Sequence, residues 1–321
     1  MNAKLSDAYD GYRRFLVDIS TGDSFVLDAS VFNETYREWN TFDPATSSSF
    51  QNLTAEFSQT YVGDLNVNSS SVAGYLAYDS LEVIGTEMNA TFGIVKRIDG
   101  NSPPTVTYLG EQVAGRIGFS RLGNTTTNIH KRLLEGHENK ALCLAMYDEG
   151  EITKPQVSLG RFSGPQKALR TTVKALPRAD GLWAVNVTSV KMDKYRISRS
   201  HEIVFSTTFD GIGFKSDHFK RLLWLLDAEY DRPNGRFYTS CGQNLTIEFL
   251  INEAAIPLKF SDYTEKIAED KCVIKVRHLY EATIILGAPI YRKNGVCFDF
   301  EKDEVSFYDM QDDPDSDVGI V

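Results

Sequence analysis

Short runs of alternating apolar and polar residues recur along most of the chain, and they predict a protein built mainly from β-strands. The runs are rich in Val, Ile, Phe and Tyr, which favour extended backbone. Clusters of Gly, Asn, Asp and Pro separate them, as expected for antiparallel strands joined by turns. Clear examples are SFVLDA, VAGYLAYDSLEVIG, TFGIVKRI, WAVNVTSVKM and ATIILGAPIY.

Helical spacing is convincing in two segments. The first, NIHKRLLEG, predicts a helix that begins after Asn128 and ends at Gly136. In the second, SDHFKRLLWLLDAEY, we expect Ser216 to be the N-cap. The apolar residues of this second helix fall on or near one face, which we expect to pack on the core: Phe219, Leu222, Leu223, Leu226 and Tyr230.

The middle of the chain predicts a boundary between two lobes of similar size. Its sequence, GRFSGPQKALRTT, contains Gly and Pro and lacks a strong apolar pattern. We therefore predict an N-terminal lobe over residues 1–165, a C-terminal lobe over 166–308 and a flexible acidic tail over 309–321. Each half contains an apolar strand with a small polar turn and, later, two apolar residues before a glycine: SFVLDAS and VAGRIGF, then EIVFSTT and TIILGAP.

The charge and hydropathy of the chain exclude some classes of partner. A formal net charge of -10 argues against nucleic acid or an anionic membrane surface, because both attract basic proteins. No apolar run approaches the length needed to span a bilayer, so no membrane span is predicted. Residues 1–15 lack the apolar core of a signal peptide, so we expect any export signal to have been left out of this sequence.

Acceptor triplets for N-glycosylation are more numerous than the Asn, Ser and Thr content readily explains. Asn-x-Ser/Thr is glycosylated only in the secretory route. The sequence therefore predicts a secreted, extracellular glycoprotein. Its acceptor asparagines are Asn33, Asn52, Asn68, Asn89, Asn124, Asn186 and Asn244.

The four cysteines form neither a disulfide-dense scaffold nor a metal-binding spacing. Cys241 and Cys272 bracket a predicted hairpin, and we predict a disulfide between them. Cys143 and Cys297 lie in apolar, strand-like runs, and we interpret them as buried free thiols. The five histidines are scattered without partners at ligand spacing, so neither a metal site nor a cofactor is predicted.

Several segments resemble the pepsin-like aspartic proteases, in the expected order and over nearly the whole chain. FDPATSSSFQNL is similar to the family's FDP-x-S-S-S-T/S-F-x-N-L stretch, and SSVAGYLAYDSLEV to its S-x-x-G-x-L-G-Y-D-x-V hairpin. The closing segment, TIILGAPIYRKNGVCFDFEKDEVSF, resembles that of invertebrate members, nematode ones among them. The resemblance implies a mainly β, bilobal pepsin-like fold with two similar β-barrel-like lobes, a central cleft and a few short helices.

The family cleaves peptides with two aspartates that share one proton, one acting as general base and the other as general acid. Each aspartate normally lies in an Asp-Thr-Gly turn, where the Gly allows a close backbone approach and hydroxyls hold the carboxylate. In the first lobe, VLDASVFN places Asp28 on the aspartate, but Ala29 and Ser30 on the Thr and the Gly.

The second lobe departs further from the family pattern. EIVFSTTFDGIGFKS matches without gaps and places Phe205 on the aspartate, with Ser206 and Thr207 on the Thr and the Gly. Gly213 and Ser216 fall on the family's later Gly and Ser, which supports this register. A Phe cannot share a proton, so the resemblance implies a vestigial Asp28 and no intact catalytic pair.

The flap that closes over substrate in the family is also altered. Tyr61 matches the flap tyrosine, but residues 62–64 replace the Gly-Thr-Gly that follows it. Acceptors at Asn33 and Asn68 would place sugars near the mouth of the cleft, which is hard to reconcile with threading a polypeptide through it. The resemblance assigns cleft and flap positions to Tyr61, Ser30, Ser206 and Thr207.

These observations predict a secreted, non-catalytic, aspartic-protease-like protein that binds a peptide or protein partner. One alternative is a weakly active aspartic endopeptidase that uses Asp28 with an unexpected second carboxylate, for which Asp210 is the candidate. Another is a decoy or inhibitor of proteases. The first alternative requires a second carboxylate within hydrogen-bonding reach of Asp28.

Overall fold

The computed structural model describes residues 2–5, 13–32, 41–62, 69–99, 107–108, 111–121, 125–149, 152–162, 168–280 and 283–310. These residues form 27 strands and three α-helices, which confirms the predicted mainly β class. The chain divides into two compact units. Unit 1 comprises residues 1–137, 177–184 and 204–210, and unit 2 comprises 138–176, 185–203 and 211–321. The predicted acidic tail lies outside the described residues from residue 311 onward.

The strands are numbered in chain order. Those before residue 137 are β1 Asn2–Leu5, β2 Arg13–Asp18, β3 Phe25–Leu27, β4 Gln51–Val62, β5 Ser69–Val83, β6 Thr86–Asp99, β7 Thr107–Tyr108, β8 Glu111–Gln112 and β9 Gly115–Gly118. Those after it are β10 Ala141–Glu149, β11 Ile152–Leu159, β12 Ala168–Lys174, β13 Ala184–Val187, β14 Ser189–Met192, β15 Tyr195–Ser198, β16 His201–Phe205, β17 Ile212–Lys215, β18 Glu229–Asp231, β19 Arg236–Thr239, β20 Ile247–Ile251, β21 Ala254–Leu258, β22 Thr264–Ala268, β23 Lys271–Ile274, β24 Val276–Leu279, β25 Ile284–Leu286, β26 Asn294–Asp299 and β27 Glu304–Asp309.

Unit 1 is built around one seven-stranded sheet in the order β1-β2-β9-β3-β6-β5-β4, in which β1 also pairs with β5. Alternate residues of these strands point to one face and form its apolar core, as a period of two requires. The described strands form six sheets and no closed barrel. One cluster of buried apolar residues in unit 1 consists of Leu16, Phe25, Leu27, Phe57, Val72, Val95 and Val113.

Two glycines of the recognisable segments allow strands to approach closely. A Cβ atom at Gly74, in SSVAGYLAYDSLEV, would lie 1.8 Å from the carbonyl oxygen of Ile94. A Cβ atom at Gly115, in VAGRIGF, would lie 2.0 Å from the carbonyl oxygen of Phe25. Both distances are far below van der Waals contact, so only glycine fits at these positions.

The duplicated segments are sheet neighbours in each half of the chain. In the first half, SFVLDAS supplies β3 and VAGRIGF supplies β9, and these strands pair antiparallel. In the second half, EIVFSTT supplies β16 and TIILGAP supplies β25, which are adjacent in a five-stranded sheet of order β13-β16-β25-β17-β24. The order of segments that the sequence repeats therefore corresponds to a repeated strand pairing.

The remaining sheets of unit 2 are a five-stranded sheet, β11-β10-β26-β27-β12, and two four-stranded sheets, β15-β14-β20-β21 and β18-β19-β23-β22. The first of these combines strands from before and after residue 165. Unit 2 therefore contains strands from both sides of residue 165. The lobe boundary at residue 165 stays a prediction.

The two predicted helices are present, with different caps. The α-helices are α1 Ala29–Phe32, α2 Ile129–Glu135 and α3 Ser216–Leu225. Asn128 is the N-cap of α2, but its side chain accepts from the amide of Thr91 (2.8 Å) instead of capping the helix. The N-cap of α3 is Lys215, so the prediction of Ser216 was wrong by one residue, because the Ser216 hydroxyl bonds His278 instead. No α-helix of the described ranges is long and apolar enough to cross a membrane.

The apolar face of α3 is shorter than its sequence suggests. Phe219 and Leu222 are buried, and Leu226 is buried at the C-cap. The helix ends at Leu225, so Tyr230 belongs to β18 instead and is 55% exposed. Leu223 is only partly buried. The face that packs on the core therefore consists of Phe219, Leu222 and Leu226.

Both pairs of cysteines are disulfide-bonded. The predicted Cys241–Cys272 disulfide is confirmed. The interpretation of Cys143 and Cys297 as free thiols was wrong, because β10 and β26 pair antiparallel with these two residues directly opposite each other. Their Cα atoms are 4.0 Å apart, although 154 positions separate them in the sequence. No local pattern could have indicated that pairing.

One buried carboxylate lies away from the protease-like motifs. Asp262 ends a 3₁₀ helix, Phe260–Asp262, and its Oδ2 accepts from the amide of Lys259 (2.7 Å). Burial raises the pKa of Asp262 to about 6, against the opposing effects of the Lys259 hydrogen bond and the cations at positions 292 and 293. Its ionised form is therefore destabilised in the folded protein.

Candidate functional site

The first motif places Asp28 directly after β3, at the centre of unit 1. The amide of Asp28 donates to the carbonyl of Val95 (3.0 Å), and the next amide, that of Ala29, donates to the carbonyl of Phe42 (2.8 Å). These bonds hold the end of β3 and the first residue of α1 between two neighbouring segments. The residue is 2% exposed, so its carboxylate is desolvated and needs specific partners.

Ser30 provides the first of those partners. Its amide and its hydroxyl both donate to Oδ1 of Asp28, at 2.8 and 2.6 Å. Ser30 stands where the family pattern has glycine, and it is exposed at the surface of the described structure. Ser30 therefore supplies hydroxyl support to the carboxylate, although Ala29 stands where the family pattern has Thr.

Lys96 provides the second partner. Its ammonium nitrogen lies 3.6 Å from Oδ2 of Asp28, while the lysine side chain is 51% exposed. The same nitrogen lies 5.4 Å from the centroid of the Tyr75 ring, within the range of a cation–π interaction. Burial and, to a smaller extent, the negative charge of Asp28 raise the pKa of Tyr75. Asp28, Lys96 and Tyr75 therefore form one electrostatic cluster, which we call the Asp28 cluster.

Sequence reasoning missed both Lys96 and Tyr75. β3 and β6 pair in parallel with Leu27 beside Val95, and continuing that register by one residue brings Asp28 beside Lys96. The only signal in the sequence was a charged residue at the end of the apolar run TFGIV. That signal has no meaning until the pairing of β3 with β6 is known.

The second motif ends β16 and contains no carboxylate at its matched position. Phe205 is 0% exposed, and its amide donates to the carbonyl of Trp183 (2.9 Å). The Ser206 hydroxyl is 3.2 Å from that of Thr208 and also accepts from the Thr208 amide. The Thr207 hydroxyl accepts from the amide of Ile19 (3.3 Å). The hydroxyls of this turn therefore bond to each other and to backbone.

The other predicted positions fall in different places. Asp210, the alternative second carboxylate, is exposed. Tyr61 lies in β4 with its backbone opposite Ser70, but its side chain is outside the described residues. Asn33, Asn68 and Asn124 are also outside them. Among the residues that the structure describes, no three His, Cys, Asp or Glu side chains are arranged to hold a metal ion.

Four of the predicted glycosylation acceptors are described, and all four are exposed. Asn89 and Asn186 lie in strands β6 and β13, and Asn244 precedes β20. Asn52 lies in β4, where its side-chain oxygen accepts from the amide of Thr54 (2.8 Å). Glycosylation requires such accessible side chains, so the surface is compatible with modification at each of these positions.

Comparison with known proteins identifies the family of the chain. The family model of the eukaryotic aspartyl protease matches residues 11–310, which is nearly all of the chain. No curated protein matches the chain significantly. The family match runs through β3 and Asp28, through β16 and Phe205, and to the last described strand, β27. The chain belongs to the eukaryotic aspartyl protease family.

Proposed function

We propose that this chain is a secreted, non-catalytic member of its family that acts by binding a peptide or protein partner. The ion pair between Asp28 and Lys96 is the observation that carries the proposal. It gives the buried carboxylate a cationic partner, whereas aspartic protease chemistry requires a second carboxylate as the partner.

The chemical argument concerns the proton that the catalytic pair must share. Two carboxylates in close contact divide into an ionised base and a protonated acid because their like charges repel. Asp28 accepts two hydrogen bonds on Oδ1 from Ser30 and has the Lys96 ammonium near Oδ2, so these partners are donors and a cation and not a second carboxylate. Phe205, at the matched second position, has no proton to give or accept. Loss of one member of a catalytic unit lowers the rate by several orders of magnitude.

Secretion and glycosylation are supported by two independent features. The two disulfides are typical of proteins that fold in an oxidising compartment. The four described acceptor asparagines are exposed. We therefore place the protein outside the cell, with sugars on several strands.

The binding mode that we propose is strand-like pairing with the backbone of an extended peptide. Proteins with exposed strand edges bind extended peptides by backbone pairing, with pockets for alternate side chains. Such pairing does not depend on catalytic carboxylates. We therefore assign an extended segment of a peptide or protein as the ligand class, without cleavage.

Hydrolysis of a broad peptide library from about pH 3 to pH 7 tests the catalytic part of the proposal, since acid and neutral conditions cover the titration range of a carboxyl pair. A statine-type transition-state mimic is included, with an active pepsin-like protease as control. Silence of the native protein supports the proposal. Cleavage that the mimic blocks overturns it, and loss of that cleavage in Asp210→Asn would then identify the second carboxylate.

The binding part needs a separate measurement. Immobilised native protein is incubated with secreted proteins and with the same peptide library, and a thermally denatured sample serves as control. Retention of extended peptides by the native sample alone supports the assigned ligand class. Selective retention of active proteases would instead favour the decoy or inhibitor function. Retention of neither peptides nor proteins would reject the proposed binding function.

A further inference from the structure

Three of the five histidines lie near the first turn of α3, although they are scattered in the sequence. The rings of His201, from β16, and His218, from α3, contact each other with centroids 4.9 Å apart. His278, from β24, accepts from or donates to the Ser216 hydroxyl at 2.5 Å, and its ring lies 5.8 Å from that of Phe219. All of these residues belong to unit 2.

The surroundings of His218 disfavour a positive charge. Its Nδ1 atom is enclosed and has no hydrogen-bond partner among the described residues, so protonation would bury an unsatisfied donor. The site is also the N-terminal end of a ten-residue helix, where the helix dipole repels cations. Burial and then the charge of Lys215 lower the pKa of His218 to about 4, and the same two causes lower the pKa of His201.

The charged groups around His218 come from several elements. Lys215, His201 and Arg221 oppose its protonation, and only Asp217 favours it. Other titratable or charged residues on α3 and on the strands next to it are Lys220 on α3, Tyr195 and Arg196 on β15, Glu202 on β16, and Arg277 and His278 on β24.

From this juxtaposition we infer that the contact between His201 and His218 is a pH-sensitive attachment of α3. It loosens α3 from the rest of unit 2 when the medium becomes acidic. Both rings are neutral and packed together at neutral pH. Acidification places two positive charges 4.9 Å apart beside Lys215, at the positive end of the helix. Release of α3 uncovers Phe219 and Leu222, which are buried in the attached state.

The sign of the effect follows from linkage. A histidine whose folded-state pKa is lower than its unfolded value of 6.5 binds protons more weakly in the folded state. Its stabilising effect is therefore complete above pH 6.5 and is lost as the pH falls toward 4. Since His218 is partly open to solvent, we expect about a tenfold increase in the opening equilibrium of α3 between about pH 7 and pH 5.

Hydrogen exchange measured by mass spectrometry tests the inference. The protection factor of the segment 216–225 is compared at both pH values, after correction for the intrinsic exchange rate. We expect about a tenfold loss of protection in the native protein and in the control His137→Gln, which changes a histidine of unit 1. We expect little or no loss in His218→Gln. Protection that is independent of pH in the native protein, or that falls equally in His218→Gln, would overturn the inference.

A second measurement applies if His218→Gln does not fold. The histidine resonances of the native protein are titrated by NMR together with the backbone amides of α3. A histidine that titrates well below pH 6.5, with α3 amides shifting at the same midpoint, supports the attachment. Titration of all histidines near their ordinary pKa, or α3 amides that do not respond, would reject it.

Discussion

Replacing Lys96 by methionine removes the cation from the Asp28 cluster and leaves Ser30 as the side-chain partner of the buried carboxylate among the described residues. Methionine keeps an unbranched apolar side chain and removes only the charged end. We expect Lys96→Met to destabilise the folded protein at neutral pH. The loss comes from a carboxylate that is 3% exposed at its side chain and no longer compensated.

The magnitude follows from the separation of the charges. Two unit charges 3.6 Å apart interact by about 5 kcal/mol at an effective dielectric constant of about 20. Because the lysine side chain is 51% exposed, most of that energy is screened by water, as in surface ion pairs. We therefore expect a loss of about 2 kcal/mol, more than an exposed pair gives and less than a fully buried one.

Urea unfolding of a double-mutant cycle measures this energy, with Lys96→Met, Asp28→Asn and the combined variant compared at low ionic strength. Arg97→Met is the matched control, because Arg97 pairs with Asp99 on the same strand and both side chains are at least half exposed. We expect a change within about 0.5 kcal/mol for the control and a coupling energy of about 1–2 kcal/mol for the cycle. A Lys96→Met variant as stable as Arg97→Met, or a coupling energy near zero, would refute the role of the ion pair.

Three further predictions concern other parts of the molecule. Phe205→Asp should lower the free energy of unfolding by about 4 kcal/mol or more and show no peptidase activity, because it places a smaller, charged side chain at a fully buried position. Phe205→Leu should lower it less, and an active, stable Phe205→Asp enzyme would contradict this. Asp262→Asn should raise the free energy of unfolding by up to about 3 kcal/mol near pH 7 and leave it unchanged near pH 3.5, because ionisation of the buried Asp262 destabilises the native protein increasingly from pH 3.8 through about pH 6. Equal unfolding midpoints of the variant and the native protein at pH 7 would contradict this. The denatured, unreduced protein should contain no free thiols, and two reactive thiols would restore the free-thiol interpretation. Replacing Cys143 and Cys297 should lower the free energy of unfolding by about 5 kcal/mol, and replacing the other pair by about 4 kcal/mol, because the closed loops span 154 and 31 positions.

Local features of the sequence were sufficient for the secondary structure and for the family. Periods of two and of about 3.6 residues are properties of single segments, so the strands and helices α2 and α3 could be predicted without knowing their neighbours. The glycines of VAGY and VAGR also belong to short motifs, even though the backbone contacts that require them are distant in sequence. The prediction that Asp28 and Phe205 stand at the two aspartate positions rests on motifs of the same kind.

The tertiary structure alone decided which distant side chains meet. Lys96 reaches Asp28 only because β3 and β6 pair in parallel, and Cys143 bonds Cys297 only because β10 and β26 align them. The contacts of His201 with His218 depend likewise on how α3 packs. Charge compensation, disulfide bonding and proton affinity all depend on distances of a few ångströms, and such distances between remote residues are set by sheet register and packing, on which a local pattern has no bearing.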